Sequence, residues 1–274
     1  MRPRLILTDL DGTLLRDDKS LSDANRSALV RAAGRGAEVV LATGRFFAGI
    51  PGELLELPFL RYFILMNGAK VYDRREDRVL YRAEIPLARA EQVLDLLEPL
   101  DCTVDCYQSD VGWMERRYLD HLERYVADPV IRAMICRNRT PVDDLRAQMR
   151  ADGGAVQKIQ AYFPNLELRP GVMELMRREA PELVQSTALP MNLEFNAPGA
   201  TKGHALLALC RALGIDPGET AAFGDGTNDV TMLQTAGVGV AMANAAPAVL
   251  EVADRVTRSN QEDGVARVLD QWFG

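Results

Sequence analysis

Residues 5–14 read Leu-Ile-Leu-Thr-Asp-Leu-Asp-Gly-Thr-Leu, an apolar run that passes into two carboxylates and stops at a glycine. Leu5, Ile6 and Leu7 carry the pattern of a buried strand. Side chains two positions apart on an extended chain point the same way, so Asp9 and Asp11 face one spot at the strand's carboxyl end. In an open α/β sheet, that end is where ligands bind. Two like charges held so close call for a divalent cation, or for a proton on one of them. Asp and Gly are also ordinary turn residues. An EF-hand loop is excluded, because it needs Gly at its sixth position and Glu at its twelfth. Counted from Asp9, Gly12 is fourth and the twelfth residue is Ser20.

The rhythm around this segment sets the fold class. Ser22 caps a helix expected over 23–34, which ends at Gly34 and Gly36. A strand follows over 37–42, then Thr43-Gly44-Arg45, a helix over 46–57 and a strand over 62–66. Asn67-Gly68-Ala69 turns the chain into 71–73, whose partner is 79–82. Strands separated by helices indicate a parallel, Rossmann-like sheet with helices on both faces. From Pro86 to about Pro190 the pattern changes. Residues 102–107 and 156–163 alternate like half-exposed strands, and helical patterns fall at 87–99, 142–150 and 170–179. This reads as an inserted α+β cap domain. The earlier rhythm then returns, with a helix over 203–213, strands at 221–223 and 238–242, and helices near 246–252 and from 262. The expected organisation is a core over 1–84 and 191–274, interrupted by a cap over 85–190.

Composition narrows the function. At 274 residues and 47% hydrophobic content, the chain can bury a real core. No apolar run nears the ~18 residues of a membrane span, and the start, Met-Arg-Pro-Arg, lacks signal-peptide features. The expectation is a cytoplasmic protein with no membrane partner. A net charge of −7 argues against a nucleic-acid binder. Cys102, Cys106, Cys136 and Cys210 form no Cys-x-x-Cys pair and read as free thiols. There are 28 arginines and only four lysines, Lys19, Lys70, Lys158 and Lys202, which directs attention to each lysine.

Four polar clusters fall at element ends. Asp9 and Asp11 form the first. Thr43-Gly44-Arg45 offers a hydroxyl and free N–H groups at a strand-to-helix turn, a setting that suits phosphate. Lys202 opens a helix. Gly224-Asp225-Gly226-Thr227-Asn228-Asp229 places Asp225 and Asp229 one turn apart. It is a poor dinucleotide loop, since the required third glycine is absent. On the strand over 156–163, Lys158 shares the less apolar and more open face with Val156, Gln160 and Tyr162.

Taken together, Asp9-Leu-Asp-Gly-Thr-Leu, Thr43-Gly-Arg, Asn67-Gly-Ala, Lys202-Gly, Gly224-Asp-Gly-Thr-Asn-Asp, Val240-Ala-Met-Ala-Asn-Ala and Glu262-Asp-Gly-Val-Ala resemble the haloacid dehalogenase superfamily. The resemblance is to its Cof-type phosphatases with a type IIB α/β cap, and it covers most of the chain. It implies a hydrolase of small phosphorylated metabolites, such as sugar phosphates, that works through an aspartyl-phosphate. Asp9 is the implied nucleophile, Asp11 the general acid and base, and Lys202 a catalytic cation. Mg²⁺ is the implied cofactor, on Asp9, the Asp11 backbone carbonyl and Asp225, with Asp229 in support. Thr43, Gly44, Arg45, Asn67 and Asn228 are implied phosphate or substrate contacts. Lys158 is a further one, because family members often carry a Lys-Ile pair in a cap strand. A phosphomutase of the same superfamily and a non-catalytic phospho-metabolite binder are the competing readings.

Overall fold

The computed structural model describes residues 2–187, 189 and 191–274. The chain divides into two compact units, Met1–Arg82 with Ala200–Gly274, and Ala83–Gly199.

The first unit opens with β1 (Leu5–Thr8), β2 (Glu38–Ala42), β3 (Tyr62–Leu65), β4 (Lys70–Asp73) and β5 (Arg78–Arg82). The second unit holds β6 (Thr103–Gln108), β7 (Val111–Glu115), β8 (Thr140–Val142), β9 (Val156–Tyr162), β10 (Val184–Ser186) and β11 (Asn192–Asn196). The chain then returns to the first unit with β12 (Thr220–Gly224), β13 (Val238–Ala241) and β14 (Arg255–Val256).

The first unit is one eight-stranded sheet in the order β14-β13-β12-β1-β2-β3-β4-β5. It is parallel from β14 to β3 and antiparallel from β3 to β5. Its central strands are buried on both faces, which is why they read as unbroken apolar runs. On one face Leu5, Leu7, Val40, Ile64 and Ala222 meet Leu206 and Leu209 of the helix Lys202–Leu213, with Met232 and Leu233 of Val230–Thr235. The helices Asp23–Gly34 and Gly264–Phe273 pack together and against β2 and β12, Trp272 reaching the Phe223 ring. The Ser22 cap forms as expected, its hydroxyl accepting from Asn25 N. The helix expected over 46–57 does not form. It is replaced by the 3₁₀ turn Phe47–Gly49 and the single turn Gly52–Leu55. Pro51 explains the break, since the residue before a proline is driven extended and Ile50 has ψ 134°.

The second unit is a six-stranded sheet ordered β10-β11-β9-β6-β7-β8, antiparallel except between β7 and β8. Two differences from expectation matter. The insertion runs beyond residue 190 to Gly199, because β11 pairs with β9 and β10. Pro190, where the expected boundary falls, lies outside the described residues. And β6 and β9 are buried throughout, not half-exposed. Many of their polar groups pair within the unit. Arg139 donates to Asp105 Oδ2 (2.9 Å), Gln160 Oε1 (3.1 Å) and the Tyr107 hydroxyl, Gln160 donates to Tyr162 Oη (2.7 Å), and Lys158 pairs with Glu194 Oε1 (2.9 Å).

Candidate active site

In the first unit the chain leaves β1 towards β2 and later returns on its other side as β12, so the carboxyl ends of these strands diverge around a crevice. Asp9 follows β1, Thr43 follows β2, Asn67 follows β3 and Asp225 follows β12. The opening residue of the helix Lys202–Leu213, capped by the Thr201 hydroxyl, completes the set.

Lys202 is fully buried, and its ammonium bridges two carboxylates, donating to Asp9 Oδ1 (2.5 Å) and Asp229 Oδ1 (2.6 Å). The other oxygen of Asp229 accepts the backbone N–H groups of Asp225 and Gly226, both at 3.0 Å. Asp225 Oδ1 accepts from the Thr13 hydroxyl at 2.6 Å. One oxygen from each of Asp9, Asp225 and Asp229 lies within 4.8 Å of the others. Gly12 is what lets the β1 loop pass this group. Its φ is +83°, and a Cβ there would stand 2.3 Å from Asp225 Oδ2.

This crowding leaves an unbalanced charge. Burial pushes the Asp9 carboxyl well above the ordinary range; Lys202 opposes the rise, and Asp229, Asp225 and Asp11 add to it. Burial likewise pushes Asp225 up to about 6, opposed by the Thr13 hydroxyl and reinforced by Asp229. Burial works against the Lys202 ammonium, but Asp229 and Asp9 outweigh it and hold the group protonated. Two buried carboxylates on one ammonium, with the half-buried Asp225 beside them, fit a divalent cation, and an all-oxygen donor set is what Mg²⁺ favours.

Asp11 is placed differently. Its carboxylate is not one of that buried group. Arg45 takes it in a fork, Nε to Oδ2 at 2.8 Å and Nη2 to Oδ1 at 2.6 Å, and Lys19 Nζ reaches Oδ1 at 2.9 Å. Burial alone would raise this carboxyl, but the Arg45 hydrogen bonds and charge, with Lys19, hold it below the usual carboxylate range. Arg45 Nη1 donates to Gly49 O at 2.9 Å, so the guanidinium is anchored at both ends. Thr43 is buried and accepts Arg45 N at 3.1 Å through its hydroxyl oxygen. Asn67 Oδ1 accepts from Asn228 Nδ2 at 3.0 Å, and a Cβ on Gly44 would come within 2.7 Å of that same oxygen. The glycine is therefore needed for the approach of Asn67.

Asp9, Lys202, Asp225 and Asp229 thus meet directly, Asp11 joins Arg45, and Asn67 joins Asn228. Lys158 belongs to the second unit. It is buried, not on an open face, paired with Glu194 and 4.9 Å from the Tyr107 ring centroid. Sequence reasoning passed over Thr13 and Lys19 as site residues. Thr13 lies inside the Asp-x-Asp-Gly-Thr segment, and Lys19 is one of only four lysines.

A family model described as haloacid dehalogenase-like hydrolase matches residues 6–269. The chain is 31% identical to the HMP-PP phosphatase of Serratia proteamaculans, over 98% of this chain and 95% of that protein. It is 29% identical to the 5-amino-6-(5-phospho-D-ribitylamino)uracil phosphatase YcsE of Bacillus subtilis, over 98% and 95%. A solved haloacid dehalogenase-like hydrolase from B. subtilis has a TM-score of 0.83 and 31% identity, covering 97% of this chain and 99% of that one. Among the described residues no helix is long and apolar enough to cross a membrane.

Proposed function

The chain belongs to the haloacid dehalogenase-like hydrolase family, as one of its phosphatases, and from that premise we propose that it hydrolyses phosphomonoesters of small metabolites with Mg²⁺, through an aspartyl-phosphate on Asp9. The observation that carries this reading is the excess of buried carboxylate around Lys202, at the sheet end where β1 lies between β2 and β12.

In this reading Asp9, the Asp11 carbonyl, Asp225 and Asp229 hold the cation, which when bound neutralises charge on the carboxylates and on the phosphoryl oxygens. Lys202 fixes the Asp9 carboxylate through Oδ1. Asp9 attacks phosphorus as the bond to the leaving oxygen breaks, and Asp11, which must first take up a proton against the hold of Arg45 and Lys19, gives that proton to the leaving oxygen. Asp11, now a carboxylate, takes a proton from water as the water attacks phosphorus and restores Asp9. Lys202, the Thr43 hydroxyl, the Gly44 N–H and the Asn67–Asn228 pair stabilise charge on the transferring group without bonding to it. Arg45 serves through Asp11, to which its fork is bound. Lys158 stays outside the mechanism, since its partner Glu194 accounts for its burial. Phosphorylated sugars and similar small metabolites are the substrate class, in keeping with the phosphometabolites named for the relatives. The cytoplasm is the proposed site of action, which suits the free cysteines.

The test is phosphate release from a panel of phosphomonoesters. Turnover is expected with Mg²⁺, lost with EDTA and regained on adding Mg²⁺ back. Full activity in metal-free buffer would remove the metal from the reading, and silence across the panel would remove hydrolysis.

A further inference from the structure

Of Asp9, Asp225 and Asp229, Asp225 is the one that Lys202 does not bond. Asp9 and Asp229 share the Lys202 ammonium, and Asp229 also accepts two backbone N–H groups. Among the described residues, the one hydrogen bond made by the Asp225 carboxylate comes from the Thr13 hydroxyl, to Oδ1 at 2.6 Å. That length is in the range of a charge-assisted O–H···O⁻ bond. A threonine hydroxyl also has the option of a carbonyl in its own segment, as Thr8 shows by donating to Asp9 O. Thr13 instead reaches a residue 212 positions away in the chain.

The backbone of Asp225 leaves only its side chain to be set. Its N–H goes to Asp229 Oδ2 (3.0 Å), its carbonyl accepts Ala246 N (2.9 Å), and the carbonyl before it, on Gly224, accepts Met242 N (3.1 Å). Thr13 is fixed just as firmly, and it is fully buried. The Gly12 carbonyl that precedes it accepts Asn244 Nδ2 (2.8 Å), and Asn244 Oδ1 accepts Asn260 N (3.1 Å). The buried Asn260 donates on to Leu15 O and Asp17 Oδ1, both at 3.0 Å. On the other side of Thr13, Leu14 N donates to Asp9 O (3.3 Å). The donor is therefore held in place before any ligand arrives, and the absence of a Cβ on Gly12 lets the carboxylate lie against the loop.

Each carboxylate oxygen has about two lone pairs, so Oδ1 can accept the Thr13 hydroxyl and keep room for a cation. We propose that Thr13 is a positioning residue for the metal site, a role that rests on the Mg²⁺ reading given above. Its hydroxyl holds the Asp225 carboxylate in the orientation that keeps one of its oxygens within 4.8 Å of oxygens from Asp9 and Asp229. Without that bond the carboxylate turns about its own side-chain torsions, and a binding cation must first restrict them. Outer hydrogen bonds of this kind typically carry about 10- to 100-fold in metal affinity.

Mg²⁺ alone, added to metal-stripped protein with no substrate present, separates this role from simple support of the fold. The Mg²⁺ needed for a given rise in thermal midpoint scales with its dissociation constant. Thr13→Val keeps the shape and removes the hydroxyl. Measured from its own metal-free midpoint, it should need about tenfold more Mg²⁺ than the wild type for the same rise. Thr13→Ser keeps the hydroxyl and should stay within about threefold of the wild type. Support of the fold alone would lower the metal-free midpoint and leave the Mg²⁺ requirement where it is. An unchanged or smaller requirement in Thr13→Val, or an equal loss in Thr13→Ser, therefore overturns the proposal. Where Thr13→Val does not fold, Thr13→Ala is compared with Thr13→Ser by the same criterion. A wild-type midpoint that Mg²⁺ does not move overturns the metal reading itself, and the role of Thr13 with it, which tells the two failures apart.

Discussion

Each unit of this protein buries a group of charges, and the two groups are built on opposite principles. Around Lys202, the carboxylates of Asp9 and Asp229 share one ammonium, and that of Asp225 stands beside them. On the second sheet, Arg139 meets Asp105 and Lys158 meets Glu194, two cations against two anions. The second group is balanced, and the Arg139 stem lies beside Gly112, where a Cβ would come within 3.1 Å of it. Burial cost is met there by matched partners that link β6, β9 and β11. The first group is left short of positive charge in the fold as it stands. Excess of this kind makes sense only if something cationic arrives, so imbalance marks the functional site more reliably than burial does.

The contrast breaks most visibly at Asp9. Asp9→Asn is expected to reduce turnover by at least about 10,000-fold, since an amide is a poor nucleophile in a step the enzyme cannot bypass. The same change removes one surplus charge, so the metal-free thermal midpoint should rise. A variant that keeps its turnover ends the covalent mechanism, and one that loses midpoint ends the claim of excess charge.

Removing a cation should then separate the two groups by whether they can be repaired. Lys202→Met strands the two buried carboxylates of Asp9 and Asp229 and is expected to cost about 3–5 kcal/mol at neutral pH without metal. Arg139→Met strands Asp105, whose Oδ1 already has no partner, at a cost of about 3 kcal/mol or more. The double variant Arg139→Met with Asp105→Leu should regain most of that loss, because a matched pair can be exchanged for apolar side chains. Urea midpoints of the three variants measure this. If the double variant is as weak as Arg139→Met alone, the second group is more than a balanced pair.

Much of the first group could be read from the chain because each member sits at a fixed offset from a strand or helix end. Asp9 and Asp11 follow an apolar strand directly, Lys202 opens a helix, and Asp225 and Asp229 are a turn apart. What escaped reading was contact between distant segments. The Arg45 fork spans 34 residues to Asp11, and nothing local says whether an arginine after Thr-Gly will face a phosphate or a carboxylate. The second group escaped for the same reason. Lys158 and Glu194 are 36 residues apart, so a polar strand face looked open when its partners in fact lay on neighbouring strands. β11 was assigned to the wrong side of the boundary, since Asn-Leu-Glu-Phe-Asn shows alternation but not the sheet it joins. Two other features carry a local signal: Pro51 forbids a continuous helix over 46–57, and Asp128-Pro129 supplies the cap and first turn of the helix Pro129–Arg137.

The smallest expected effect is a pH dependence peculiar to the unbalanced group. Asp225 is held up to about 6 by burial, above the ~3.9 of an unfolded aspartate. A group raised on folding binds its proton more tightly in the native state, so its contribution to stability is complete below about pH 4 and is lost as pH rises through 6. Without metal, the protein should therefore lose on the order of 2 kcal/mol from this residue between pH 4 and pH 7. Asp11 acts with the opposite sign, because its pKa is lowered, but its effect falls at more acid pH. Asp9 is raised and adds to the same slope, so the residue's own share is the difference between wild type and Asp225→Asn. Thermal midpoints of the two proteins in EDTA from pH 5 to pH 7 should converge at the acid end and separate towards neutrality, with the wild type the weaker. Saturating Mg²⁺ should flatten the wild-type curve, since a cation takes the place of the proton. Parallel curves in EDTA would mean that Asp225 carries an ordinary charge, and that Asp9, Asp229 and Lys202 balance without it.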